Sequence, residues 1–277
     1  MTMDELNEYA EKAYEMFKEA TKIPVLKFEL TDSEPDIFSS KIGGTPYLSQ
    51  NSEVPVDKRG EQMKFLAQFD CSLLSGLPDY PHTGMLQFWL SKKYPWVEHK
   101  VIYYEQIDKT VSDSDVISKI DSFEDETDVQ FPVINGGYGI TTHLTEESMS
   151  ESDERCEEFL WHYLDVVTDG RAIDEYDDDI SELIEVDYTS GHKIGGYLYD
   201  PQPRNSYEYD PDLEIDLGTD DEKLLLLQLE YDHGYGKNWQ DNAKIIIGDC
   251  GVIHFFIKRK DLKQLNFDKV KYDWSCS

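Results

Sequence analysis

The chain has 277 residues, 58 of them acidic and 26 basic, for a formal net charge of −32. That charge excludes a groove for a phosphate backbone, which needs clustered Lys and Arg, and it opposes adsorption to anionic lipid. A 39% hydrophobic and 13% aromatic composition excludes a disordered chain, and this length buries a large core in one or two domains.

Leu6, Ala10, Ala13, Tyr14 and Phe17 recur at helical spacing and predict an amphipathic helix over residues 3–21, stopped before Pro24. The opening Met1-Thr2-Met3-Asp4-Glu5-Leu6 lacks the basic and apolar regions of a secretion signal. No apolar run approaches the ~20 residues that span a bilayer. A cytoplasmic location with no membrane association is the expectation.

Residues 25–30 alternate as a half-buried strand. Gly43-Gly44 before Pro46 predicts a tight turn or bulge, since paired glycines allow positive φ and close backbone approach. A phosphate cradle would need a helix after the glycines, and none is patterned there. Residues 65–69 and 85–90 read as buried strands around a turn-rich stretch, and 101–104 as a strand of aromatic β-formers. Residues 109–128 read as an acidic, solvated excursion. A strand over 129–134 is ended by Asn135-Gly136-Gly137, and Thr145-Glu146-Glu147 opens a helix running to Asp165.

Between 146 and 188 stand seventeen acids against Arg155 and Arg171, the pattern of a solvated linker. Asp174-Glu175-Tyr176-Asp177-Asp178-Asp179 lacks the alternation and closing Glu of a calcium loop. Strands follow at 224–229, 243–247 and 252–257, then a helical turn at 261–265. The last 27 residues reverse the trend, with six Lys or Arg against three Asp, and predict an electrostatic clasp onto the acidic linker. Cys71, Cys156, Cys250 and Cys276 show no CxxC spacing, so free thiols, no metal site and no cofactor are expected.

One set of motifs occurs twice. Lys41-Ile42-Gly43-Gly44, Phe65-Leu66-Ala67-Gln68-Phe69-Asp70 and Gly84-Met85-Leu86-Gln87-Phe88-Trp89-Leu90 are followed, 152, 160 and 167 residues later, by a second set in the same order. That set is Lys193-Ile194-Gly195-Gly196, Leu225-Leu226-Leu227-Gln228-Leu229-Glu230 and Gly251-Val252-Ile253-His254-Phe255-Phe256-Ile257. A slowly growing offset is what duplication gives when loops lengthen between fixed strands. The expectation is a mainly β, α+β single domain over 1–277. Internally duplicated, β-roll-like units at about 25–140 and 188–277 are joined by an acidic helical linker at about 141–187, with a peripheral N-terminal helix.

Together with Ser40-Lys41-Ile42-Gly43-Gly44-x-Pro46, His192-Lys193-Ile194-Gly195-Gly196-Tyr197 and Gly248-Asp249-x-Gly251, these motifs resemble the YwqG-like family of bacterial proteins over roughly residues 5–277. The resemblance implies a β-rich, roll-like, duplicated fold in a cytoplasmic bacterial protein, and the family is one of unknown function. The chain departs from the family pattern at Val54-Pro55, where Trp-Pro is usual, and at Tyr197-Leu198, where a Pro usually follows the second Gly-Gly. Gln202-Pro203-Arg204 echoes a family Gln-x-Asp-Pro-Arg stretch imperfectly.

Three functional readings follow. The favoured one is a non-enzymatic binding or inhibitory protein for a basic protein partner, recognised through the acidic segments 109–128, 146–188 and 207–222. The second is a small-ligand module with a cleft between the duplicated units, lined by Gln68, Gln228, His192, Arg204, Trp89 and Tyr197. Beside it stands the plainer reading that buried glutamines satisfy backbone groups at a bulge. The third is a hydrolase built on His192, Asp249 or Cys250; with no G-x-S-x-G elbow in the chain, no catalytic residue is assigned.

Overall fold

Helix α1 (Met3–Ala20) forms because Leu6, Ala10, Ala13 and Phe17 fall on one buried face, and because Thr2 and Glu5 close a reciprocal capping box at its start. The computed structural model describes residues 2–121, 131–133, 136–153, 155–171, 183–202, 219–232 and 243–276. The 174–179 acidic run, Arg204 and the aromatic loop at 233–239 lie outside them.

Ten strands, all antiparallel, form one sheet in the order β10-β9-β8-β7-β1-β6-β2-β3-β4-β5. They are β1 (Ile23–Thr31), β2 (Lys41–Gly43), β3 (Lys64–Asp70), β4 (Met85–Leu90), β5 (His99–Tyr104), β6 (Gly137–Glu147), β7 (Lys193–Gly195), β8 (Lys223–Glu230), β9 (Val252–Lys258) and β10 (Lys271–Ser275). With short helices at its margins, the fold is the expected β-rich α+β class. Among the described residues no helix is long and apolar enough to cross a membrane.

The central pair β1–β6 runs over nine residues, from Ile23 opposite Glu147 to Thr31 opposite Gly139. Outward from it, each side has a three-residue Lys-Ile-Gly strand, a long strand and then a hairpin partner. The registers correspond. Lys41 faces Gln68 as Lys193 faces Gln228, and bulges lie between Phe65 and Ala67 and between Leu225 and Leu227. The sheet curls until its edge strands meet through side chains. His99 Nε2 donates to Val270 O at 3.0 Å, Tyr272 Oη donates to Pro95 O at 2.8 Å, and Trp96 packs on Trp274. Side-chain closure of this kind covers edges that would otherwise template association.

The main core fills the concave side, where Leu86, Phe88 and Leu90 of β4 meet Ile253, Phe255 and Ile257 of β9. The alternate residues of β4, Met85 and Trp89, enter a second cluster with Tyr47, Met63 and Phe65, as the two-residue period of a strand requires. Each such fully buried side chain stabilises the fold by about 1.5–3 kcal/mol. Helix α1 packs on α3 (Cys156–Thr168) in a third cluster outside the second half of the sheet.

Several sequence expectations change. The 109–128 excursion contains helix α2 (Asp113–Ile117), capped by Ser112, and it buries Val111 and Val116. Residues 137–147 are a central strand, so Thr145 caps no helix and α3 starts later, at Cys156. Residues 131–133 and 243–247 contribute only isolated bridges through Val133, Asp232 and Ile245. The basic tail does not clasp the 141–187 linker in the described residues. Lys258 and Lys260 pair with Asp221, Lys263 with Asp220, and Arg259 with Glu222 and Asp79, around α4 (Arg259–Lys263).

Candidate functional site

Both Gly-Gly turns are built the same way. Gly43 and Gly44 have φ of +68° and +75°, and Gly195 and Gly196 have +75° and +70°, values that only glycine adopts without strain. Each turn ends a short strand and swings the chain back over the next one. There the backbone is caught by a glutamine placed beside a bulge. Gln68 Oε1 accepts Tyr47 N–H at 2.9 Å, and its Nε2 donates to Ile37 O and Ser39 O. Gln228 Oε1 accepts Tyr199 N–H at 2.9 Å, and its Nε2 donates to Gly191 O and Glu230 Oε1. On the neighbouring strands Gln87 Nε2 donates to Tyr47 O at 2.6 Å, and His254 Nε2 donates to Tyr199 O at 2.9 Å. Each amide is saturated, as burial demands.

Lys41 and Lys193 precede the two turns, and both are fully buried. Loss of hydration pushes each ammonium down to about 8. Lys193 Nζ lies 2.8 Å from Glu147 Oε1 and also donates to Thr189 O. Glu147 Oε1 accepts Tyr197 N–H at 2.7 Å, and Oε2 lies 3.2 Å from Lys27 Nζ. Lys41 differs: its ammonium donates to the carbonyls of Asp36 and Thr45, and it pairs with no carboxylate among the described residues.

The two surroundings differ too. At the second turn Glu147 fills the space over Gly196, where a Cβ would sit 2.1 Å from its Oε1. At the first turn a pocket of about 400 Å³ opens, lined by Gly43, Gly44, Thr45 and Pro46 on one side. Val54, Met63, Phe65, Trp89, Ile117 and Ile120 supply its apolar walls, with Lys64 and Asp121 as its charged residues. Trp89 is locked from behind, its Nε1 donating to Gln87 Oε1 at 3.2 Å and its ring edge-on to Phe65. Volume and lining match a site for a small organic molecule, with a rigid polar lattice behind an apolar cup.

The residues singled out from sequence fall into separate groups. Gln68 and Trp89 meet through Gln87, and Trp89 lines the pocket. Gln228 and His192 meet at Glu230, whose N–H donates to His192 Nδ1 at 3.0 Å. That bond leaves the ring hydrogen on Nε2, 3.7 Å from Asp232, with the ring stacked on Phe28. Tyr197 is buried against α1, its hydroxyl donating to Thr21 O at 2.6 Å. Arg204 lies outside the described residues. The pocket belongs to the first half of the sheet; its lining residues run from Gly43 to Gly136.

Among the described residues, no hydrogen bond joins any two of His192, Asp249 and Cys250. Cys250 is exposed, whereas the buried thiols of Cys71 and Cys156 are pushed up to about 12 by loss of hydration. The sequence reading passed over Lys41, Lys193 and Glu147. The signal was the repeated lysine two residues before each Gly-Gly, and Glu147 was hidden in a run of acids.

Residues 40–276 match a family model described as a domain of unknown function, DUF1963. No curated protein matches the chain.

Proposed function

The chain thus belongs to the DUF1963 family, whose description assigns no activity, and we propose from geometry that it is a non-catalytic small-ligand binding module. The observation that carries this is the pocket at the Gly43-Gly44 turn, with Trp89 and Phe65 as its apolar walls. Among the described residues, its lining pairs no nucleophile with a base, the minimum for covalent or acid–base catalysis. The polar groups behind it are spent on backbone, which fixes the shape of the cup and lowers the ordering cost of binding. We also read the two halves as copies of one unit, at about 25–140 and 188–277 within a single domain. The matched registers and hydrogen bonds around Gln68 and Gln228 support that reading. The YwqG-like resemblance is our narrower reading of the family and brings no ligand with it.

The test is a fragment screen by two-dimensional NMR on the intact chain. Binding fragments are expected to move the amides of Gly43, Gly44, Thr45 and Phe65 and the indole of Trp89. Hits confined to other residues, or none, would overturn the reading.

A second reading, a basic protein partner, draws support from the ion pairs. Among the described residues, eleven Lys or Arg side chains are already paired with acids. The exposed Asp4, Glu8 and Glu11 of α1 and Glu157 and Glu158 of α3 add to the negative excess. Association released by moderate salt would support it.

A further inference from the structure

The walls of the pocket are not held alike. Val54, Met63, Phe65 and Trp89 are buried in the core. Residues 117–121, which bring Ile117, Ile120 and Asp121 to the lining, contain no buried side chain; the last one inserted in the core is Val116, at the end of α2. Polar groups hold this stretch instead. Lys119 Nζ donates to Ser49 O at 3.1 Å, Gln50 O at 2.7 Å and Ser52 O at 2.9 Å. Those three acceptors match the three hydrogens of an ammonium, and no carboxylate pairs with Lys119 among the described residues. Gln62 adds two bonds, its Nε2 donating to Lys119 O at 2.8 Å and its Oε1 accepting Asp121 N–H at 2.9 Å. Ser49, Gln50 and Ser52 lie on the chain between Pro46 and Val54, which also line the pocket. Lys119 therefore ties one stretch of the lining to another.

We propose that residues 117–121 are a strap that gates the pocket, with Lys119 as its latch and Val116 as its anchor. The proposal rests on the ligand-binding reading above and adds how the site opens. A stretch held by hydrogen bonds rather than by apolar burial opens locally at a small fraction of the global unfolding free energy. Breaking five bonds frees this strap without uncovering a buried side chain, whereas no other wall moves without exposing core. Lids drawn from such stretches set how fast a site fills and empties. The three carbonyls come from one turn, closed by Ser52 N–H donating to Ser49 O at 3.0 Å, and they converge on a single cation. A free ammonium ion fits the place that the lysine supplies from within the chain.

The experiment is amide hydrogen exchange on the intact chain and on Lys119→Ala. The amides of Lys119, Ile120 and Asp121 are expected to exchange at least about tenfold faster in the variant, with β3 and β4 unchanged. Ammonium chloride is expected to restore slow exchange, and tetramethylammonium chloride, which has no N–H to donate, is not. Gln62→Leu is expected to speed the same amides without ammonium rescue, and it carries the test if Lys119→Ala folds poorly. The tightest-binding fragment of the NMR screen is expected to dissociate at least about tenfold faster from the loosened chain. Unchanged amide exchange, or acceleration that ammonium does not reverse in Lys119→Ala, would overturn the latch. An unchanged dissociation rate beside faster amides would overturn the gate and leave the binding reading intact. No fragment bound at the pocket would overturn the binding reading and the gate with it.

Discussion

Lys193 Nζ and Glu147 Oε1 lie 2.8 Å apart, the lysine fully buried and the carboxylate nearly so. The pair joins β7 to the end of β6 and plugs the second Gly-Gly turn; Lys27 Nζ lies 3.2 Å from the remaining oxygen, which accepts no hydrogen bond among the described residues. A buried pair is held at the expense of hydration, so its removal is costly chiefly when one partner is left alone. Glu147→Gln keeps the shape and strands the Lys193 charge. We expect a loss of roughly 3–5 kcal/mol in urea unfolding, and a smaller loss in the double variant Glu147→Gln/Lys193→Met. A single variant within 1 kcal/mol of the parent would contradict this account of the plug.

Gln68 makes four hydrogen bonds in a fully buried setting: to Tyr47 N–H, Ile37 O, Ser39 O and Gln87 Nε2. Gln68→Ala leaves those backbone groups without partners and opens a cavity, so a loss of roughly 3 kcal/mol or more is expected. Chemical denaturation measures it. A near-neutral result would mean the chain between Ile37 and Tyr47 is held by other contacts.

Gly196→Ala sets a Cβ against the Glu147 carboxylate, whereas Gly60, at φ +84°, has nothing within 4 Å of the same position. Gly60→Ala is expected to cost about 1–2 kcal/mol, for conformation alone. Gly196→Ala is expected to cost several kcal/mol more, because the carboxylate is fixed between Lys193 and Tyr197 and has no room to yield. Equal melting points for the two variants would show that Glu147 is not fixed.

Lys41 gives a pH signature of known sign. Its ammonium ionises near 10.5 when unfolded and about 8 when folded, with burial the leading cause. The folded state binds fewer protons between those values, so this group destabilises at neutral pH and the penalty is relieved as pH rises from 8 to 10.5. The full effect is on the order of 3 kcal/mol. We therefore expect the stability of the parent to rise relative to Lys41→Met by 2 kcal/mol or so, in order of magnitude, between pH 8 and 10. A pH-independent difference would mean that Lys41 is hydrated.

Much of this fold can be read from sequence where period and burial agree. The helix at Leu6, Ala10, Ala13 and Phe17 and the strands at 65–69, 85–90 and 252–257 carry one- or two-sided apolar patterns that survive in the structure. Strand β6 does not: its Thr141, His143 and Thr145 give no apolar stripe, and its nine-residue pairing with β1 decides its state instead. Strand β10 is short, and Tyr272 and Trp274 find their role only where the sheet's two edges meet. The glutamines were visible as polar interruptions in apolar strands, and a bulge explains them. Lys41 was not, because a lysine reads as surface until burial is known.

We propose above all that the pocket at the first Gly-Gly turn is a binding site. Ile117 lines its wall yet is 58% exposed, so Ile117→Trp can crowd the opening without disturbing the core. Calorimetric titration of the tightest-binding fragment from the NMR screen into the intact chain and into this variant tests the claim most directly. We predict one-to-one binding to the parent and at least about tenfold weaker binding to Ile117→Trp at an unchanged melting point. Equal binding by both chains, or none by the parent, would contradict it.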